Sequence, residues 1–441
     1  MRRVLLAIVL LWPLLAQGAV LEEVLGNGLK VLIQEERKAP LVVVQLYYKV
    51  GAKDEPEHLA GISHLLEHMM FKGTERLGPS EYSRLIQRIG GVNNAFTTKD
   101  YTMYYAQVPS EGLELVLSLE AERMARLRLN SQEVLSERAV VMEERRLRYE
   151  DDPQSSLYEE VLAAAFKVHP YERPVIGWMQ SLQNIGPQEL RQHYRRFYSP
   201  GNAVLVLVGD LEAREALRLV RKHFGPLQAR ETAARAALKE PPQRGQRRVY
   251  LRREAELPYV LVAYHVPSFL QAPEEAAALE VLAQVLSGGR SARFFRRLVK
   301  GREVALGAFA SYSSLQPEPF LFFLGGTPRA GREAEALEQA IYEEVEAVKA
   351  RPPSEQELQR AKNQLEAALL MGQDSLFFQA ELLGMFELMG DWRLKERYLQ
   401  ALRAVRAEDV SRVARKYLRK DNSTVGILIP LKKEAGHGPA H

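Results

Sequence analysis

Cysteine is absent from all 441 residues. That one absence excludes disulfides, thiolate metal sites and cysteine nucleophiles. An excess of charge of one sign is also lacking. Sixty Lys+Arg face 56 Asp+Glu, a formal charge of +4, so there is no electrostatic footprint for nucleic acid. Histidine is scarce, at nine residues, and any metal must be held by these together with Asp or Glu. The apolar run from Val4 to Leu15 is interrupted by Pro13 and falls short of the roughly 20 residues that a membrane helix requires. What is present is ordinary for a soluble globular chain: 46% hydrophobic and 26% charged residues. At roughly 100–200 residues per domain, the length suggests two to four units.

The first residues, Met1-Arg2-Arg3, the apolar run and the small residues of Ala16-Gln17-Gly18-Ala19 together have the pattern of a cleaved signal peptide. We therefore expect residues 1–19 to be removed and the chain to be exported, to a periplasmic location, with a retained anchor as the alternative. The remainder reads as two halves. The first, residues 20–226, opens with strand-like stretches Leu25–Glu35 (Asn27-Gly28 as a turn) and Leu41–Val50. Helical segments follow at Gly61–Phe71 and at Ser80–Ile89, with Ser80 as the expected N-cap. Strands Asn94–Thr98 and Thr102–Val108 flank a polar turn. Helices then cover Ser110–Leu127, Ser131–Arg148, Leu157–Phe166 and Gln188–Phe197 before an apolar strand at Ala203–Val208.

Residues 227–248, rich in Ala, Arg, Glu and Gln and carrying Pro241-Pro242, read as an exposed linker. The second half, residues 249–434, repeats the order of the first: strand Tyr259–His265, helix Glu274–Leu286, a short helix Ser291–Val299, two strands, two long helices and a closing strand Thr424–Ile429. Residues 435–441 form a Gly-containing tail. The expected fold class is α+β: two homologous domains, each an antiparallel sheet packed with helices.

The sharpest pattern is His64-Leu65-Leu66-Glu67-His68. Residues three and four apart share a helix face. His64 and His68 can thus hold one ion with Glu67 beside it, the inverted order of the commoner His-Glu-x-x-His zinc motif. A helix with two surface histidines would show the same spacing. A two-histidine site needs a third ligand and an open position. His169, His193, His223, His265, His437 and His441 do not recommend themselves, whereas the acidic helix Glu137–Glu144 does. Glu137 and Glu144 lie two turns apart on one face. Composition alone does not choose between Glu143 and Glu144.

The chain resembles the inverzincin family of zinc peptidases, which includes mitochondrial processing peptidase, insulin-degrading enzyme and pitrilysin. The matching residues are Gly61 to Thr74 around the histidine pair, then Gly90-Gly91 with Asn94-Ala95-Phe96-Thr97 and Asp100-Tyr101-Thr102. Glu137-Arg138 with Glu143-Glu144, His169-Pro170-Tyr171 with Pro174 to Gly177, and Tyr198-Ser199-Pro200 with Asn202-Ala203 continue the match. It covers essentially the whole chain after the signal peptide and is weaker in the second half. In length and layout it looks like the short bacterial branch related to the processing peptidase.

The resemblance implies one Zn²⁺ per chain held by His64, His68 and Glu144, with Glu67 as general base and Glu137 orienting a ligand histidine. It also implies that a peptide substrate adds as a strand along Asn94, Ala95 and Phe96. Catalytically complete relatives carry an Arg and a Tyr in the second half, seven residues apart, that polarise the substrate carbonyl. Here the corresponding positions are Val299 and Leu306, and Arg296, Arg297 and Arg302 are the nearby cations. The chain thus resembles the zinc-bearing subunit of a pair. The implied activity is a zinc endopeptidase acting on peptides or unfolded segments inside a clamshell chamber. A homologous subunit would supply the Arg and Tyr, as a heterodimer or, alternatively, a homodimer. The other readings are a catalytically silent structural subunit and a peptide-binding one.

Overall fold

The structure, a computed structural model, describes residues 19–230 and 238–431. The expected signal sequence through Gly18, the middle of the expected linker and the tail lie outside these residues. Eleven strands among the described residues form two sheets. The first sheet contains β1 (Leu21–Val24), β2 (Lys30–Glu35), β3 (Leu41–Tyr48), β4 (Val92–Thr97), β5 (Thr102–Pro109) and β6 (Ala203–Gly209), in the order β1-β2-β6-β3-β5-β4. The second contains β7 (Arg247–Glu254), β8 (Tyr259–Val266), β9 (Ala305–Ser311), β10 (Phe320–Pro328) and β11 (Ser423–Leu431), in the order β7-β11-β8-β10-β9.

From β2 onward the two orders superimpose strand for strand, and so do their directions. The pairs β2/β6 and β7/β11 are parallel and every other pair is antiparallel. This is the structural form of the expected duplication. Each of the expected antiparallel sheets also carries one parallel pair. A parallel pair needs a long crossover rather than a hairpin, and more than 160 residues separate β2 from β6.

Fourteen α-helices lie among the described residues. The first half carries α1 (Ile62–Met69), α2 (Glu81–Arg88), α3 (Leu113–Arg126), α4 (Ser131–Arg145), α5 (Pro153–Ala165), α6 (Met179–Asn184), α7 (Pro187–Phe197) and α8 (Ala213–Phe224). The second carries α9 (Pro273–Ser287), α10 (Ala334–Ala350), α11 (Glu355–Gly372), α12 (Leu376–Leu388), α13 (Leu394–Ala404) and α14 (Ala407–Tyr417). Two small expectations shift. The opening stretch splits into β1 and β2 around the Asn27-Gly28 turn, where Gly28 has φ +87°. Ser80 sits at the N-cap of α2 but makes no side-chain capping bond. Glu81 instead accepts from Gly78 N–H at 2.7 Å.

One main core in each half packs sheet against helices. The opposite face of each sheet is covered by a helix from the other half. Leu157, Val161, Leu162 and Ala165 of α5 pack on Leu261, Ala263 and Leu428 of the second sheet. Ala380 and Leu383 of α12 pack on Val43, Tyr47, Val204 and Val206 of the first. Each crossing rests on a glycine. A Cβ at Gly384 of α12 would meet the Tyr47 ring at 2.3 Å, and one at Gly426 of β11 would meet Val161 at 2.4 Å. The two halves are therefore interlocked by exchanged helices.

Candidate metal centre

Helix α1 is short, and its N-terminus is built into the core. Gly61 takes φ +97° at the N-cap, and a Cβ there would strike the Ile176 carbonyl at 2.4 Å. The buried carboxylate of Glu55 caps the helix, accepting from Gly61 N–H at 2.7 Å and Ser63 N–H at 2.8 Å. Burial pushes its pKa up to about 8, against these two donors. Ile62, Leu65, Leu66 and Met69 fill the core. That face fixes the other, on which His64 and His68 stand with ring centroids 4.8 Å apart.

Helix α4 lies across α1 and buries Val134 and Val141. Glu144 Oε2 is 3.4 Å from His68 Nε2, and its Oε1 is 4.0 Å from His64 Nε2. The choice between neighbouring glutamates is thereby made. Glu143 is exposed and pairs with Arg146 at 2.8 Å, while Glu144 joins the histidines. Glu137, two turns earlier, bonds His68 Nδ1 at 3.0 Å and Lys72 Nζ at 2.6 Å. This leaves Nε2 of His68 toward Glu144.

Candidate ligand atoms of His64, His68 and Glu144 all lie within 4.8 Å of one another. Tetrahedral zinc with bonds of about 2.1 Å sets its ligand atoms roughly 3.4 Å apart. The donor set and its spacing fit such an ion with little adjustment. Burial, then the neighbouring His68, holds His64 down at about 4. For His68, burial opposes the charge, but Glu137 and Glu144 outweigh it and raise the group to about 9. Glu144 and Glu137 are both held below the usual carboxylate range, chiefly by His68. Burial raises Glu67, and Thr97 Oγ1 of β4 donates to its Oε2 at 2.6 Å.

These groups line a cavity of about 590 Å³ with Asn94, Ala95, Phe96, Tyr149, Val175 and Ile176. All the expected site residues of the first half except Glu137 are therefore on its wall. Glu137 stands behind His68. Strand β4 is the sheet edge, bonded to β5 on one side only. The pattern reading missed Arg148, whose Nη1 is 3.1 Å from Glu144 Oε1, and Arg145, buried just behind. Spacing alone does not distinguish them within the run Arg145-Arg146-Leu147-Arg148. A larger cavity, about 890 Å³, contains His169 and His265, but no three-ligand cluster lies there among the described residues. His193 bonds Ser63 at 3.0 Å and His223 pairs with Glu114, both as local props.

Residues 30–178 match the sequence family described as "Insulinase (Peptidase family M16)", and residues 184–365 match "Peptidase M16 inactive domain". The zinc protease PqqE of Helicobacter pylori is 33% identical over 411 residues, covering 92% of each chain. The chain belongs to peptidase family M16. An uncharacterized zinc protease of Bacillus subtilis, YmxG, is 27% identical across 90% of this M16 chain and 95% of its own. The crystal structure of a protease from Helicobacter pylori superimposes with a TM-score of 0.89 at 31% identity, covering 94% of this chain and all of that one.

In this M16 chain the second half places Val299 half-buried and Leu306 exposed on the edge strand β9. Arg297 pairs with Glu344 at 3.0 Å and Arg302 with Glu343, both on α10. Those two arginines are engaged on the helix side of the second sheet. No helix among the described residues is long and apolar enough to cross a membrane.

Proposed function

We propose that this chain is the zinc-bearing subunit of an exported endopeptidase. The observation that carries the reading is the convergence of His64, His68 and Glu144 beside the Glu67 carboxylate, at the open edge of β4. A bound Zn²⁺ would supply Lewis acidity, polarising a scissile carbonyl and acidifying a water. Glu67 then acts as general base, taking a proton from the attacking water and passing it to the leaving amine. Thr97 fixes one of its oxygens, and burial brings its pKa closer to working pH. Glu137, bonded to His68 Nδ1, would leave Nε2 as the nitrogen to hold the ion.

The substrate lies as an added strand on β4, held by main-chain hydrogen bonds. Asn94 supports this. Its Oδ1 accepts from Ala95 N–H at 2.9 Å, in the manner of a docking strand's carbonyl. Asn94, Ala95 and Phe96 are the proposed contacts. Pairing with a homologous subunit, as a heterodimer, supplies the Arg and Tyr absent at Val299 and Leu306; a homodimer would repeat the same absence. The periplasmic protease PqqL of Escherichia coli, 20% identical, supports the idea of a half. This chain covers only 48% of that chain.

The test is to assay zinc content and hydrolysis of an unfolded labelled protein, alone and with a co-expressed homologue. Glu67→Gln should keep its zinc and lose turnover, and full activity of the isolated chain would refute the pairing. Wild-type protein that holds no zinc in either setting would favour a silent structural subunit.

A further inference from the structure

We propose that Arg148 is the specificity-determining residue of this cavity and that it recognises a carboxylate on the bound peptide. The inference rests on reading the cavity as a peptide site. Three arginines follow Glu144 closely, and each has a different environment. Arg145 is buried against Glu159 and the Gly177 carbonyl. Arg146 pairs with the exposed Glu143. Arg148 lines the metal cavity and is the one Lys or Arg among its lining residues. Beyond α4 the chain widens into π-type turns over residues 146–150, closed by Asp151 N–H on the Arg146 carbonyl at 2.9 Å. Such turns recur where side chains are re-aimed at a functional site.

The Arg148 side chain remains 68% exposed, and its Nη1 pairs with Glu144 Oε1 at 3.1 Å. A guanidinium has five N–H donors, so this pairing leaves most of the fork to solvent. Glu144 is also the proposed third ligand, and a carboxylate whose charge is shared with an ion holds a guanidinium less strongly. Formal charge points the same way. Glu67 and Glu144 contribute −2 and a divalent ion +2, so Arg148 takes the loaded cavity from zero to +1 with neutral histidines. The remaining wall holds apolar Phe96, Val175 and Ile176 and the neutral donors Asn94 and Tyr149, none of which carries a charge to meet an anion's. A peptide carboxylate would pair with the fork in a charge-assisted, bidentate bond. The carboxylate comes either from an acidic side chain near the scissile bond or from a free C-terminus.

Zinc-loaded Glu67→Gln protein, full length, is titrated with fluorescein-labelled peptides and followed by anisotropy. One pair differs as internal Glu against Gln, the other as C-terminal acid against amide. The carboxylate member of one pair should bind about 10- to 100-fold more tightly, and which pair it is identifies the source. Adding Arg148→Gln should collapse that ratio to near one, with the neutral peptide's Kd unchanged. Arg148→Lys should keep part of it. Zinc content, read with a chelating dye, should stay at one per chain throughout. Equal weakening of both members, no preference at the start, or zinc loss with Arg148→Gln would each overturn the role of Arg148. If none of the peptides binds, the peptide-site reading itself fails, and the inference with it.

Discussion

The ion pair behind the metal site makes a demanding test of how the two halves depend on each other. Arg145 donates from Nη1 and Nη2 to the two oxygens of Glu159, each at 2.8 Å, and from Nη1 to the Gly177 carbonyl at 2.8 Å. Both side chains are at most 10% exposed. The guanidinium also lies over Tyr149 and Trp178, at 5.5 and 5.6 Å. Glu159 belongs to α5, the helix that covers the second sheet, and Arg145 adjoins Glu144. Glu159→Gln keeps the shape and removes the charge, leaving a buried cation with two of its three acceptors. Breaking such a pair costs about 3–5 kcal/mol, and the isosteric change belongs at the lower end. At roughly 2–4 °C per kcal/mol for a cooperative unit of 150–250 residues, about 3 kcal/mol becomes a fall in Tm of about 6–12 °C. Arg145→Met with Glu159→Leu removes both charges and should recover most of the loss. The remaining deficit is about 1 kcal/mol for the Gly177 carbonyl that loses its donor. Scanning calorimetry of the three proteins is the assay. A single variant within about 2 °C of wild type, or a double variant no better than the single, refutes the reasoning.

Glu137→Gln should weaken Zn²⁺ binding about 10- to 100-fold with the fold intact, measured by competition with a chelating dye, because it loosens the hold on the His68 ring. His193 is buried and held down at about 3, so it stays neutral in the fold while the unfolded chain takes up a proton below about 6.5. Stability present above pH 6.5 is therefore lost as pH falls toward 3, by about 2 kcal/mol at pH 5. His193→Gln should flatten that limb in denaturant titrations, and an unchanged slope would discard the assignment. Gly426→Ala and Gly384→Ala should each destabilise by about 1–3 kcal/mol through overpacking of the exchanged helices, read as lowered denaturation midpoints.

Much of the first half was legible because its signals are local. The His64–His68 spacing, the two-turn spacing of Glu137 and Glu144 and the turn between β4 and β5 each lie within one or two elements. Less was legible where an element has two environments. Helix α12 buries Gln379, Ala380, Leu382, Leu383, Gly384, Phe386 and Glu387, being packed on the first sheet by one face and on its own half by another. No single apolar stripe marks it. Strand β7 carries four arginines and lies at a sheet edge, so its alternation is masked by charge. Ser80 failed as a cap because its backbone is left-handed, with φ +59°, and Glu81 took the bond instead.

By itself the sequence determined that any metal would be held by histidine and carboxylate, that the histidines share a helix face, and that the chain is a doubled α+β unit. These follow from composition and helical or strand period, which act over a few residues. Only the tertiary structure decided which glutamate joins the histidines, which arginine reaches the cavity, and that each sheet is closed by a helix from the opposite half. Those outcomes depend on packing between segments far apart in the chain, where shape and burial select among residues that are chemically alike.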